Sequence, residues 1–138
     1  MAGLRVADLM TPDPVAVAPE ADLREASDLM DSRQVRHLPV VDKAGHVTGL
    51  LSQRDLVRRA MASTEDLLLT VQEDILRSVR VRDVMTAEVE CVEPDSDAAI
   101  AGQIMLDNKY GCLPVTEDER LIGILTEADF VRHLVETA

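Results

Sequence analysis

The sequence is one unit written twice. Shifting the 138-residue chain against itself by 75 positions sets Val6-Ala7-Asp8-Leu9-Met10-Thr11 on Val81-Arg82-Asp83-Val84-Met85-Thr86, Pro19 on Pro94, and Leu38-Pro39-Val40 on Leu113-Pro114-Val115. One deletion, in the turn around Gly45, reduces the offset to 74. Beyond it Gly49 falls on Gly123, Leu51 on Leu125, Asp55 on Asp129, and Val57-Arg58 on Val131-Arg132. From Val6 to Ala60 there are 17 identities in 54 aligned positions, gathered in short blocks, which marks a duplicated structural unit. The chain divides by this reading into a first domain at 1–62, a helical linker at 63–78 and a second domain at 79–138.

Each unit reads as strand, helix, strand, strand, helix, an α/β fold of the α+β type. In the first, Val15-Ala16-Val17 is short and β-prone. Asp22 then precedes Leu23, Ala26, Leu29, Met30 and Arg33 at helical spacing. Leu38 to Val41 and Val47 to Leu51, separated by a turn at Lys43-Ala44-Gly45, form a hairpin, and Ser52 with Asp55 starts a helix carrying Leu56, Val57 and Ala60. The second unit repeats this with Glu90 to Val92, a helix from Ser96 to about Asn108, a turn at Glu117-Asp118-Glu119, a strand at Leu121 to Leu125 and a helix opened by Thr126. Between the units, Ser63 and Asp66 resemble a helix start, with Leu68, Val71, Ile75 and Val79 following at spacings that put them on one face. That stripe serves either an intramolecular core or a dimer seam.

Charge and composition exclude several functions. Tyr110 and Phe130 are the only aromatic residues, so the interior is built from aliphatic side chains and Met, and stacking on bases is not available. With 14 Lys+Arg against 26 Asp+Glu the net charge is −12, which repels nucleic acid and anionic membrane surfaces. No apolar run approaches the ~18 residues that span a bilayer, and the N-terminus lacks a signal-peptide pattern, so the expected location is cytoplasmic. Cys91 and Cys112 form neither a zinc spacing nor a disulfide framework and are expected to be buried thiols. Met10 and Met85 are expected to fill core gaps. His46 and His133 have no partner suggesting a metal, and no Gly-rich phosphate loop or nucleophile elbow is present, so no enzyme is expected.

The ordered set Asp-x-Met-Thr, helix, Leu-Pro-Val, then Gly49-Leu50-Leu51-Ser52-Gln53-Arg54-Asp55 and Gly123-Ile124-Leu125-Thr126-Glu127-Ala128-Asp129, resembles the cystathionine β-synthase (CBS) domain, twice. The resemblance covers nearly the whole chain. It implies two pseudo-symmetric β-α-β-β-α units packed sheet to sheet, with clefts that bind AMP, ADP, ATP or S-adenosylmethionine as regulatory ligands. It also implies a homodimer, no required cofactor and no usual catalytic role.

The Ser/Thr-x-x-Asp piece has its own chemistry. A hydroxyl at a helix start either caps free amides or helps hold an anion, and an Asp one turn inside either closes a capping box or accepts two hydrogen bonds from a ribose diol. The resemblance assigns Asp55 and Asp129 to ribose. It assigns phosphate to the residues before Leu-Pro-Val, here Arg36 and His37, with Arg54 nearby. The adenine slot it implies groups Thr11-Pro12 with Leu38 and Thr86-Ala87 with Leu113. From Arg33 to Arg59 six basic residues face two acidic ones, a local +4 that draws anions. The matching positions in the second unit, Gly111, Cys112, Glu127 and Ala128, carry no cation.

The leading expectation is a stand-alone module that senses an adenosyl ligand and signals to another, unidentified protein. The rival is a structural or oligomerisation module with the same fold that binds no nucleotide.

Overall fold

Two three-stranded antiparallel sheets are present, and each takes its third strand from the other repeat. The computed structural model describes residues 3–63 and 76–138, with the side chains of residues 60–63 left undescribed. In chain order the elements are α1 (Val6–Leu9), β1 (Thr11–Pro12), α2 (Leu23–Arg33), β2 (His37–Val41), β3 (Val47–Ser52), α3 (Gln53–Ser63), β4 (Thr86–Ala87), α4 (Ala98–Asn108), β5 (Cys112–Glu117), β6 (Arg120–Thr126) and α5 (Glu127–Glu136). A 3-10 turn at Val81–Asp83 stands where the second repeat matches α1.

One sheet runs β2-β3-β4 and the other β1-β6-β5. Thr86 of β4 pairs with Leu50, whereas Thr11 of β1 pairs with Ile124. The compact units follow the sheets rather than the repeats. A contiguous unit comprises Val15–Glu88, and a composite unit joins Met1–Pro14 to Val89–Ala138. These units cross the boundaries expected at 1–62, 63–78 and 79–138. The expected linker face of Leu68, Val71 and Ile75, with Asp66 of the expected helix start, lies outside the described residues. Its last member, Val79, is buried in the contiguous unit's core, with Leu76 packed against that core.

Local chemistry accounts for the main elements. The Asp22 carboxylate accepts the Glu25 N–H at 2.8 Å, and α2 buries Leu23, Ala26 and Met30, three and four positions apart. In the composite unit Asp97 accepts the Ala99 N–H at 2.8 Å and α4 buries Ala98, Ala101 and Met105. Each helix start is also tied to the other repeat's leading segment: the Leu23 N–H donates to Val79 C=O at 3.0 Å, and the Ala98 N–H to Leu4 C=O at 2.9 Å.

The hairpins turn differently. In the β2–β3 turn one oxygen of Asp42 accepts the N–H groups of Ala44 at 2.9 Å and His46 at 3.0 Å, and these bonds hold its carboxyl below the usual range. In the β5–β6 turn Asp118 and Glu119 adopt φ of 53° and 68°, the left-handed pair whose twist matches an antiparallel hairpin. The strands expected at Val15–Val17 and Glu90–Val92 are corrected to single parallel bridges, Val17 to Val40 and Val92 to Val115. Both bridges fall at a register shift in the neighbouring hairpin, between Val40 and Val41 and between Val115 and Thr116, where pairing does not extend.

Gly49 and Gly123 occupy the closest approaches. A Cβ at Gly49 would stand 2.5 Å from Met85 Sδ and 2.8 Å from Thr86 O, and one at Gly123 would stand 2.6 Å from Met10 Sδ and 3.1 Å from Thr11 O. The bare α-carbons let β4 and β1 dock. Met85 and Met10 pack partly buried against the two aliphatic cores, in line with gap filling.

Candidate functional site

In the contiguous unit, β2 and α3 begin side by side. His37 pairs with Ser52, and the Gln53 N–H donates to Arg36 C=O at 2.8 Å. The Ser52 hydroxyl accepts the Asp55 N–H at 3.1 Å, and Asp55 Oδ2 accepts the Ser52 N–H at 2.9 Å. This reciprocal capping box uses one oxygen of Asp55. The other takes no hydrogen bond among the described residues, and the side chain is only half-buried. Arg36, Arg54 and Arg58 are exposed and form no ion pair among the described residues. Thr86 and Ala87 lie exposed on β4 against the same β3 that ends in Ser52.

The composite unit builds the same corner with its carboxylate filled. Thr126 and Asp129 form the reciprocal box, with the Thr126 N–H donating to Asp129 Oδ2 at 2.8 Å. Oδ1 accepts two further hydrogen bonds, from the Thr11 hydroxyl at 3.2 Å and from Arg132 Nη1 at 2.9 Å. Asp129 is 3% exposed, the one buried charged residue among those described. Its charge is compensated by Arg132, whose side chain stays 57% exposed.

The expected site residues separate cleanly. Arg36, His37, Leu38, Ser52, Arg54, Asp55, Thr86 and Ala87 belong to the contiguous unit, and Thr11, Pro12, Gly111, Cys112, Leu113, Thr126 and Asp129 to the composite one. The expected adenine slot groups Thr11-Pro12 with Leu38 and Thr86-Ala87 with Leu113, whereas strand exchange puts Thr11 in the sheet of Leu113 and Thr86 in the sheet of Leu38. Leu38 and Leu113 are wholly buried in the cores, so only their main chain is available to a ligand. Cys112 is also buried, and burial together with nearby Glu127 pushes its thiol up to about 12. Burial likewise raises the half-buried Cys91.

Two features escape sequence reasoning. The Arg132–Asp129 pair does, because Arg58 stands at the same spacing from Asp55 without pairing. The other is a mainly apolar cavity of about 370 Å³ between α4 and α5, whose lining includes Ala99, Gly102, Leu106, Tyr110, Phe130 and Glu127. Both aromatic residues of the chain line it, and their pairing is the sequence signal for it. Around it Ile100, Val131, Leu134 and Val135 are exposed. Among the described residues no His, Cys, Asp and Glu cluster suits a metal, and no helix is long and apolar enough to cross a membrane.

The CBS domain family model matches residues 6–62 and 81–136. The chain belongs to the CBS domain family. It is 29% identical to the AcuB protein of Vibrio cholerae, with a TM-score of 0.86 over 99% of this chain and 96% of that one. It is 31% identical to CBSX2 of Arabidopsis thaliana, solved in complex with AMP, with a TM-score of 0.79 over 98% of both chains. It is also 30% identical to the inosine-5'-monophosphate dehydrogenase of Methanocaldococcus jannaschii over 91% of this chain, but spans only 23% of that enzyme's length.

Proposed function

We propose that the chain is a non-catalytic regulatory module that binds an adenosyl ligand in its contiguous unit and passes the event to a partner protein. The observation that carries this reading is the half-buried Asp55 carboxylate, with one oxygen left to accept a ribose hydroxyl, set beside exposed Arg36 and Arg54. Ser52 and the first amides of α3 add the positive end of a helix, and the guanidinium forks suit phosphate oxygens. Thr86 and Ala87 on the neighbouring strand border the place for the base. The AMP held by a relative of 31% identity supports an adenine nucleotide as the first ligand to try.

The module acts as a homodimer in the cytoplasm. The exposed apolar residues of α4 and α5, with the cavity between these helices, supply a surface that a second copy would cover. The net charge of −12 disfavours nucleic acid and anionic membranes as partners.

Calorimetric titration with AMP, ADP, ATP and S-adenosylmethionine tests the reading, with uridine and inorganic phosphate as controls. Adenosyl ligands should bind and raise the melting temperature, because a ligand held by the native state stabilises it by mass action. Indifference to all of them at millimolar concentration would leave a structural module of the same fold.

A further inference from the structure

We infer that Arg132 and Thr11 close the composite unit to ribose, so that the chain takes up one adenosine-type ligand rather than two. The inference rests on the reading of Asp55 as a ribose acceptor and concerns why its repeat partner is not one. Asp55 and Asp129 sit in the same reciprocal capping box, each giving Oδ2 to the N–H of the residue three positions earlier. They differ at Oδ1. In Asp129 that oxygen accepts from Thr11 at 3.2 Å and from Arg132 at 2.9 Å, and the side chain is 1% exposed.

A carboxylate oxygen with two donors in place has little capacity left for a diol, and a ligand would have to displace a charged hydrogen bond to reach it. The cause is not a residue missing from one repeat. Arg58 aligns with Arg132 and Thr86 with Thr11, yet neither bonds to Asp55. The closure is therefore a matter of side-chain placement, which substitution can undo. Arg132 is mostly exposed, and Thr11 lies on the exposed strand β1, so neither change removes core packing.

The test uses the full chain and adenosine, which carries no phosphate and so does not depend on the arginines of the contiguous unit. Calorimetry counts sites per chain for the parent, Arg132→Gln, and the double variant Thr11→Val with Arg132→Gln. Each is also measured with Asp129→Ala added. The expected result is one site in the parent and a second, weaker site in the double variant that Asp129→Ala abolishes. Two sites in the parent would overturn the closure, and so would a folded double variant with no added site. If the double variant fails to fold, Arg132→Gln alone decides by the same count. A parent that takes up no adenosine would sink the Asp55 reading instead, while a site gained in the variants would still support the closure.

Discussion

The hydroxyl of Thr11 donates to Oδ1 of Asp129 across 118 positions of sequence, pinning the first strand of the chain to the first turn of its last helix. Among the described residues the equivalent hydroxyl, Thr86, makes no such bond to Asp55. Two corners with the same residue types therefore differ in what their carboxylates have left to offer, and stability and binding should separate accordingly.

Asp129→Ala should lower stability more than Asp55→Ala. Both variants lose a capping box, a cost of about 0.5–2 kcal/mol. Only the first also loses the Thr11 tie and the hydrogen bond from Arg132, whose own side chain is 57% exposed, about 1–2 kcal/mol further. Urea denaturation midpoints decide it, and equal losses would show that the extra bonds at Asp129 contribute nothing.

Arg36→Ala should weaken AMP or ATP by roughly 1.5–3 kcal/mol, about 10- to 150-fold, the scale of a charge-assisted hydrogen bond. Adenosine, without phosphate, should bind unchanged. Titrations of the nucleotide and the nucleoside side by side give the answer, and a parallel loss for both would remove Arg36 from phosphate recognition.

Gly49→Ala should cost about 1–3 kcal/mol by overpacking, because the added methyl meets the backbone oxygen of Thr86 as well as the Met85 sulfur. Truncating Met85 relieves only the second clash, so Met85→Ala should not restore Gly49→Ala. Recovery of the parent melting temperature in the double variant would show that β4 yields more easily than its backbone contact implies.

Leu134→Glu should convert the proposed homodimer to monomer, since Leu134 is 70% exposed on α5 within the apolar face. Sedimentation velocity at micromolar concentration reads the change. An unaltered dimer would move the interface elsewhere.

The Cys112 thiol gives a pH dependence of definite sign. In the unfolded chain it ionises near its ordinary value of 9.0, and in the fold it stays protonated to about 12. Above pH 9 the unfolded state therefore binds fewer protons than the native one, and stability falls as pH rises through that window. Denaturation midpoints at pH 8, 9 and 10 should decline, and Cys112→Ala should flatten the decline.

The repeat makes the architecture legible in the sequence. Asp22 and the apolar spacing after it announced α2, and both hairpins followed from turn residues between β-prone runs. The exchange of β1 and β4 was not legible, because Met10-Thr11 and Met85-Thr86 are identical and fit either sheet, and a two-residue strand has no periodicity to read. At the site, the six basic residues and the paired Asp positions were visible, but the unequal filling of the two carboxylates was not. Arg58 and Arg132 occupy the same place in their repeats, and only packing distinguishes them.

The strand exchange also sets an order of events during synthesis. Everything that completes the contiguous unit lies between Val15 and Glu88, so that sheet can close while the second repeat is still being made. The composite unit must hold its first fourteen residues in reserve until β6 and α5 have emerged, because Thr11 finds Ile124 and Asp129 only then. A nascent chain that has emerged as far as Glu88 would carry one finished unit and one unpaired strand, β1, whose partner β6 is still to come.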